Sequence, residues 1–341
     1  MNLLWPCAAR ENSPLGPRTT LKVGGVAEWL LEPSNPEELL AAFAAAREAG
    51  HTPRILGGGA NLIISDGILP GVVISTERLR RTFRPLETGG FSAPDALDLG
   101  DDPSSAASIA ADAASIGAGD IQAPAIDRDN PRLVVWAGAS LPGIVRTASQ
   151  LGWTGLEGLI GVPGSLGGGV AMNAGGRWGE LFDVIELVRV ITKEGELRDV
   201  PRDEARPSYR SGGLSAIGAV VVVGAVLKLE LDNKRDVQAR AREFLLEKNA
   251  AQPVTEASAG CIFKNPTELF EGAKVGAGQL IDRLGLKGTR LGAAVVSAKH
   301  GNFIVNQGGA TATDVLALIE TLQREVFERA GIQLQVEVQR W

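Results

Sequence analysis

The stretch GLEGLIGVPGSLGGGVAMNAGG, Gly155–Gly176, limits what this chain can fold into more than any other. Nine of its 22 residues are glycine and its single charged residue is Glu157. A flexible linker of that glycine content is serine-rich and lacks large apolar side chains. Here Leu, Ile, Val and Met stand between the glycines, which points to ordered backbone wrapped closely around something flat or extended. A second stretch, LGGGANL, sets Gly57, Gly58 and Gly59 between two apolar runs. Successive backbone N–H groups in such a turn can form an anion-binding nest, and the same residues also suit a tight hairpin. No helix pattern follows at once, so the stretch is not the dinucleotide fingerprint. No Gly-Lys-Ser/Thr ends it, so it is not a P-loop. Together the two stretches read as a cradle for a cofactor that carries phosphates and a ring system.

Helix and strand patterns alternate around these loops. In residues 34–50, Ser34 or Asn35 can cap a helix, Pro36 suits its first turn, Glu37 and Glu38 favour its positive end, and Gly50 stops it. Residues 141–152 repeat that grammar. Residues 185–200 read as a hairpin turning at Glu194 and Gly195. In residues 313–331, Val315, Leu318, Ile319, Leu322 and Val326 share one helical face. The longest apolar run, GAVVVVGAVL at 218–227, is far shorter than the ~18 residues of a spanning helix and reads as a buried strand. The mixture implies an α+β or α/β fold. Residues 87–131 break the pattern: they are rich in Ala, Asp, Ser and Gly and carry a net charge of −8 against −6 for the whole chain. Such a stretch buries too little apolar surface to offset its ordering entropy, so it reads as an exposed insertion.

The remaining chain is nearly neutral, which gives no basic footprint for nucleic acid. Two distant cysteines, Cys7 and Cys261, make no disulfide framework and fit a reducing compartment. The N-terminal residues lack the basic and apolar regions of a secretory signal. Two separated histidines, His51 and His300, with no Cys/His/Asp cluster, give no metal site. Three residue groups stand out as candidates for chemistry. Cys261 sits in EASAGCIFKNP, a polar, small-residue loop where a structural cysteine is out of place. Arg210, after the only tyrosine, Tyr209, can grip a carboxylate or phosphate bidentately. His300 lies in KHGNFIVN.

TTLKVGG, LGGGANLIIS, the long glycine segment, YRSGG, SAGCIFKNP, AGQLIDRLGLKGTRLGAAVVSAKHGNFIVN and LQVEV occur in this order. In that order and spacing the sequence resembles the UDP-N-acetylenolpyruvoylglucosamine reductases, the MurB family, from Arg18 to Val338 apart from the acidic insertion. The resemblance implies an FAD-binding domain of the PCMH/vanillyl-alcohol-oxidase type over 1–231, interrupted by the insertion, and a smaller α+β substrate domain over 232–341. It implies reduction of UDP-N-acetylglucosamine enolpyruvate to UDP-N-acetylmuramate for peptidoglycan precursor synthesis. FAD would be bound non-covalently and NADPH would be the reductant. The enzyme would be a cytoplasmic monomer whose partner is its UDP-sugar substrate, with no nucleic acid and no membrane.

The same resemblance assigns roles. Gly57, Gly58, Gly59, Ala60, Asn61 and Leu62 fall at the FAD pyrophosphate, and Gly164, Ser165, Gly167 and Gly168 further along the cofactor. Arg210 and Glu337 match the catalytic arginine and glutamate. Cys261 falls at the proton donor, usually serine in the family. Tyr209, Lys264, Asn265 and His300 fall at substrate contacts. A thiol titrating near ~8.5 is mostly protonated at neutral pH and is a far stronger acid than an alcohol. Ala60 replaces the usual serine of the first glycine turn, GGRWGE differs from the usual GAYGGE, and Lys248 stands where an arginine is common.

Overall fold

The computed structural model describes residues 4–83 and 131–341. The expected acidic insertion lies outside the described residues except for Pro131. The chain forms two compact units. The first comprises Met1–Ala9, Leu31–Gly58 and Val73–Leu246; the second comprises Arg10–Leu30, Gly59–Val72 and Glu247–Trp341.

The first unit is built on a five-stranded antiparallel sheet in the order Leu197–Pro201, Ile185–Thr192, Ala219–Lys228, Arg132–Trp136, Thr82–Phe83. Val188 pairs with Val200 on one side and Ala225 on the other, and Ala225 pairs with Val135. The long apolar run is the central strand, and its Ala225 and Leu227 are buried in one cluster with Leu133, Val135, Val188 and Val190 of the neighbouring strands. The expected hairpin turns where glycine permits it: Gly195 has φ +91°, and its N–H donates to Thr192 O. Asn35 rather than Ser34 caps the helix Pro36–Glu48, accepting from Glu38 N. Ser140 caps Leu141–Leu151, which ends at Gly152 in the left-handed region. A short helix, Leu166–Met172, lies within the long glycine segment.

The second unit carries a four-stranded antiparallel sheet in the order Ser258–Cys261, Phe303–Asn306, Ala294–Val296, Arg290–Leu291. Two helices accompany it, Ala277–Arg283 and Ala312–Ala330. The second starts with a reciprocal capping box between Thr311 and Asp314 and ends at Gly331 with φ +68°. Its Val315, Leu318, Ile319, Leu322 and Val326 are all buried, against Phe263, Ile304 and Leu334 among others. A parallel pair, Gln339–Arg340 with Leu62–Ile63, joins the C-terminal segment to the strand that follows the first glycine turn.

Candidate active site

In the first unit the two glycine stretches meet. Gly58 N donates to Ser165 Oγ at 3.0 Å. A Cβ on Gly58 would stand 2.7 Å from Gly164 Cα, and one on Gly57 would stand 2.8 Å from Ser165 Oγ. The Gly58 approach is to backbone atoms, so packing requires glycine there; the Gly57 approach is to a hydroxyl that can turn aside. Ser165 occupies the N-cap of Leu166–Met172, yet its side chain makes no cap bond and instead serves Gly58. Gly57, Gly167 and Gly168 line a cavity of about 290 Å³ whose other walls include Thr76, Ser211 and Val222. No heavy atom comes within 4 Å of a Cβ built on Gly168, so that residue presents bare backbone to open space. A glycine-walled cavity with one apolar wall suits a flat, partly polar cofactor.

Arg210 belongs to the same unit. Ser208 and Ser211 exchange two backbone hydrogen bonds at 2.8 and 2.9 Å, so Tyr209 and Arg210 form the tip of a tight turn. Arg210 takes φ +57°, a left-handed conformation uncommon for a residue with a side chain. Its guanidinium lies 4.8 Å from the Tyr209 ring centroid and donates to Gly175 O at 3.3 Å. Tyr209 itself is 56% exposed. Asn173, only 1% exposed, organises the base of this turn. Its amide donates to Glu180 at 2.8 Å and to Ser208 O at 3.5 Å, while its carbonyl oxygen accepts from Phe182 N. Asn173 also ends Leu166–Met172 in a left-handed conformation, φ +44°. Its place in MNAGG is a helix-stop signal that asparagine tolerates well, and sequence reading passed it over.

Glu157, the one charge in the glycine segment, is buried and anchors it. It accepts from Thr154 Oγ1 and Gly155 N at 2.7 Å each, and from Arg240 at 2.8 Å. Burial pushes its carboxyl up, but these hydrogen bonds together outweigh burial and hold it below the usual value.

In the second unit Gly59 takes φ +59°, and a Cβ there would stand 2.4 Å from Arg18 O. Thr20 N donates to Gly59 O at 3.1 Å, and Thr20 Oγ1 donates to Ser258 O at 2.6 Å. This ties the turn to the strand that ends at Cys261. Asn61 Nδ2 donates to Glu337 O at 3.4 Å, and Gln339 N to Asn61 O at 3.0 Å. Glu337 N donates to Ile262 O at 2.7 Å, and Phe263 and Val336 form an antiparallel bridge. The segment of half-buried Cys261 therefore runs directly beside that of buried Glu337. Gly260, φ +78°, allows the irregular register between Ser258 and Cys261.

Lys264 continues this segment, its N–H donating to Gln335 O. Asn265 Oδ1 accepts from Ala277 N at 3.1 Å, the first residue of Ala277–Arg283. His300 packs on the same helix start: a Cβ on Gly278 would stand 2.6 Å from His300 Cε1. Its ring meets Phe303 edge-on at 5.0 Å, and its Nδ1 accepts from Asn302 N. Burial first, and then the nearby Lys287 charge, push its imidazole below the usual value. The second unit thus gathers Asn61, Cys261, Lys264, Asn265, His300 and Glu337, while the first gathers Gly57, Gly58, Gly164, Ser165, Gly167, Gly168, Tyr209 and Arg210. Among the described residues there is no group of three or more His, Cys, Asp or Glu suited to a metal ion.

Residues 252–341 match the family model for the UDP-N-acetylenolpyruvoylglucosamine reductase C-terminal domain, and residues 121–201 match that for an FAD binding domain. A UDP-N-acetylenolpyruvoylglucosamine reductase of Deinococcus radiodurans is 38% identical over 336 residues, which is 97% of this chain and 95% of that protein. One from Desulfosudis oleivorans is 36% identical over 332 residues, 96% and 92% of the two chains. The chain belongs to the UDP-N-acetylenolpyruvoylglucosamine reductase family. The crystal structure of the Thermus caldophilus reductase aligns over 98% of both chains with TM-score 0.70 at 33% identity. The fold of this reductase is accordingly α+β, with an FAD-binding domain and a C-terminal domain of the family's own type. The residues at the cavity fit the cofactor: Gly57, Gly167 and Gly168 line it without side chains, and a Cβ on Gly168 would enter its open space.

Proposed function

We propose that this chain reduces UDP-N-acetylglucosamine enolpyruvate to UDP-N-acetylmuramate, with Arg210, Cys261 and Glu337 as its catalytic residues. The chain is an FAD-dependent oxidoreductase of peptidoglycan precursor synthesis, with NADPH as reductant. The observation that carries the reading is a glycine-walled cavity, about 290 Å³, in a chain of this family. Gly57, Gly58, Gly167 and Gly168 would hold FAD from the first unit, and Gly59, Ala60, Asn61 and Leu62 would supply backbone donors to its pyrophosphate. FAD, when bound, takes hydride equivalents from NADPH and supplies them to the methylene carbon of the enolpyruvyl group.

The protein's own residues manage charge and the proton. Hydride addition to the methylene carbon leaves negative charge on the adjacent carbon and its carboxylate. A guanidinium is always charged and offers a planar fork, so Arg210 stabilises that charge as it develops. The left-handed turn at its tip fixes where the side chain starts. The adjacent carbon then takes a proton from the Cys261 thiol, and the thiolate regains its proton from solvent. Glu337, beside the Cys261 segment, holds the acid and the carboxylate's other donors in place. Tyr209, Lys264, Asn265 and His300 contact the UDP-sugar. His300 Nδ1 is already an acceptor, so the neutral ring offers Nε2–H as its donor.

Residues 1–231 serve FAD and lend Tyr209 and Arg210 to the substrate, which 232–341 otherwise serve. We place the enzyme in the cytoplasm as a monomer without nucleic-acid partners; the net charge of −6 supports the last of these alone. No described helix is long and apolar enough to cross a membrane.

The deciding experiment separates the half-reactions in Cys261→Ala. Reduction of the flavin by NADPH is expected to persist, while reduction of the enolpyruvyl sugar falls about 10²–10⁴-fold, the usual worth of a general acid. Cys261→Ser recovers part of that loss. An unimpaired oxidative half-reaction in the alanine variant removes Cys261 from the mechanism.

A further inference from the structure

The strand Ser258–Cys261 has a partner strand only as far as Cys261, which pairs with Phe303. Beyond it the partner chain turns: Phe303 N donates to His300 O. The next peptide groups, of Ile262 and Phe263, would lose their ladder on that side. Asn302 replaces it. Its backbone oxygen accepts from Ile262 N at 2.9 Å. Its side-chain Oδ1 accepts from Phe263 N at 2.9 Å, and its Nδ2 donates to Phe263 O at 2.8 Å. A side-chain amide carries the same donor and acceptor as a peptide, so this pair of bonds reproduces one rung of an antiparallel ladder. Asn302 is 3% exposed, and Phe263 is buried in the core. On the opposite edge Glu337 N and Gln335 O clamp Ile262 O and Lys264 N.

We propose that Asn302 is a positioning residue for the reaction: its side-chain amide completes the sheet at Phe263 and so sets the backbone that carries Cys261 before it and Lys264 and Asn265 after it. The part that concerns turnover rests on the reading of Cys261 as proton donor; the part that concerns the backbone does not. His300 joins the device, since Asn302 N donates to its Nδ1.

The test uses the FAD-loaded enzyme and Asn302→Asp, which is nearly isosteric but replaces the donor Nδ2 by a second acceptor facing Phe263 O. Three quantities are measured: amide hydrogen exchange at 262–264, the pH–rate profile of Cys261 alkylation by iodoacetamide with Cys7 as internal reference, and reduction of the enolpyruvyl sugar by enzyme pre-reduced with dithionite. Loss of a buried hydrogen bond should speed exchange at 262–264 by about tenfold or more. The Cys261 profile should move while that of Cys7 stays, and sugar reduction should slow by a comparable factor at saturating substrate. Asn302→Gln, with the amide one methylene further out, should recover part of each. If Asn302→Asp yields no soluble holoenzyme, Asn302→Ser takes its place in all three measurements. Wild-type exchange at 262–264 together with an unmoved Cys261 profile overturns the proposal. A moved profile with unchanged sugar reduction supports the backbone role and overturns the role in turnover; failure of Cys261 as the acid is scored separately in Cys261→Ala.

Discussion

Replacing Gly168 by alanine separates the surface that meets the cofactor from the framework that shapes it. Gly168 lies within the helix Leu166–Met172, lines the cavity, and has no heavy atom within 4 Å of the position its Cβ would take. In the apoprotein the new methyl therefore meets nothing, and alanine in a helix is better than glycine by about 0.5–1 kcal/mol. The apoprotein should be as stable as wild type or slightly more so. If FAD fills this cavity as proposed, the methyl would occupy space next to the cofactor, and overpacking of that kind costs about 1–3 kcal/mol. That cost raises the Kd for FAD roughly fivefold to a hundredfold. Gly58→Ala should behave in the opposite way. Its Cβ would meet Gly164 Cα at 2.7 Å and Ser165 N at 2.9 Å, backbone atoms that no rotamer can move aside. The two glycine stretches must part, and the bond from Gly58 N to Ser165 Oγ is lost. The apoprotein should lose about 2–4 kcal/mol. Urea unfolding of the apoproteins and fluorescence titration with FAD measure both quantities. Wild-type FAD affinity in Gly168→Ala would refute the assignment of this cavity to the cofactor.

Three further outcomes follow from the same geometry. Arg210→Lys keeps the charge and the same left-handed strain but loses the planar fork, so stability and flavin reduction by NADPH should stay as they are while kcat for the sugar falls about tenfold to a hundredfold; stopped-flow measurement of the two half-reactions checks this. Asp66 accepts from Ala312 N, Thr313 N and Thr313 Oγ1 at the start of Ala312–Ala330. Burial raises its carboxyl, but these bonds outweigh burial and hold it below the usual value. Its contribution is therefore present above the unfolded-state value and is lost as pH falls through the lower folded one; Asp66→Asn should destabilise the protein at neutral pH and less so in acid, seen by denaturation at several pH values. Lys248 is pushed down to about 8 by burial. A folded value below the unfolded one means stability rises with pH from about 8 toward 10.5, by on the order of 3 kcal/mol, and Lys248→Met should lack that rise.

Much of the fold was legible locally. The helix Ala312–Ala330 announced itself through the spacing of Val315, Leu318, Ile319, Leu322 and Val326 and through Gly331, because a 3.6-residue period and a left-handed stop are properties of consecutive residues. The hairpin at Gly195 and the central strand Ala219–Lys228 were legible for the same reason. The glycine stretches marked a place of close backbone approach, because little else explains apolar residues set among so many glycines, and there Gly58 packs on Gly164 and Ser165. Sequence order also carried the family likeness, and with it the proposal of Arg210, Cys261 and Glu337 as catalytic residues.

Tertiary structure alone decided what stands beside those residues. Residues 10–30 and 59–72 join the second compact unit although they lie far from 247–341 in the chain. Asn61 meets Glu337 across 276 positions, and Thr20 meets Ser258 across 238. No periodicity encodes such pairs, since they depend on which peptide groups are left without partners once sheets and turns have formed. Asn173 and Asn302 are of this kind. Each is a buried polar side chain, an ordinary letter in the sequence, and each is held in place because a buried backbone N–H beside it, of Phe182 and of Phe263, needed an acceptor that the completed fold brought within reach.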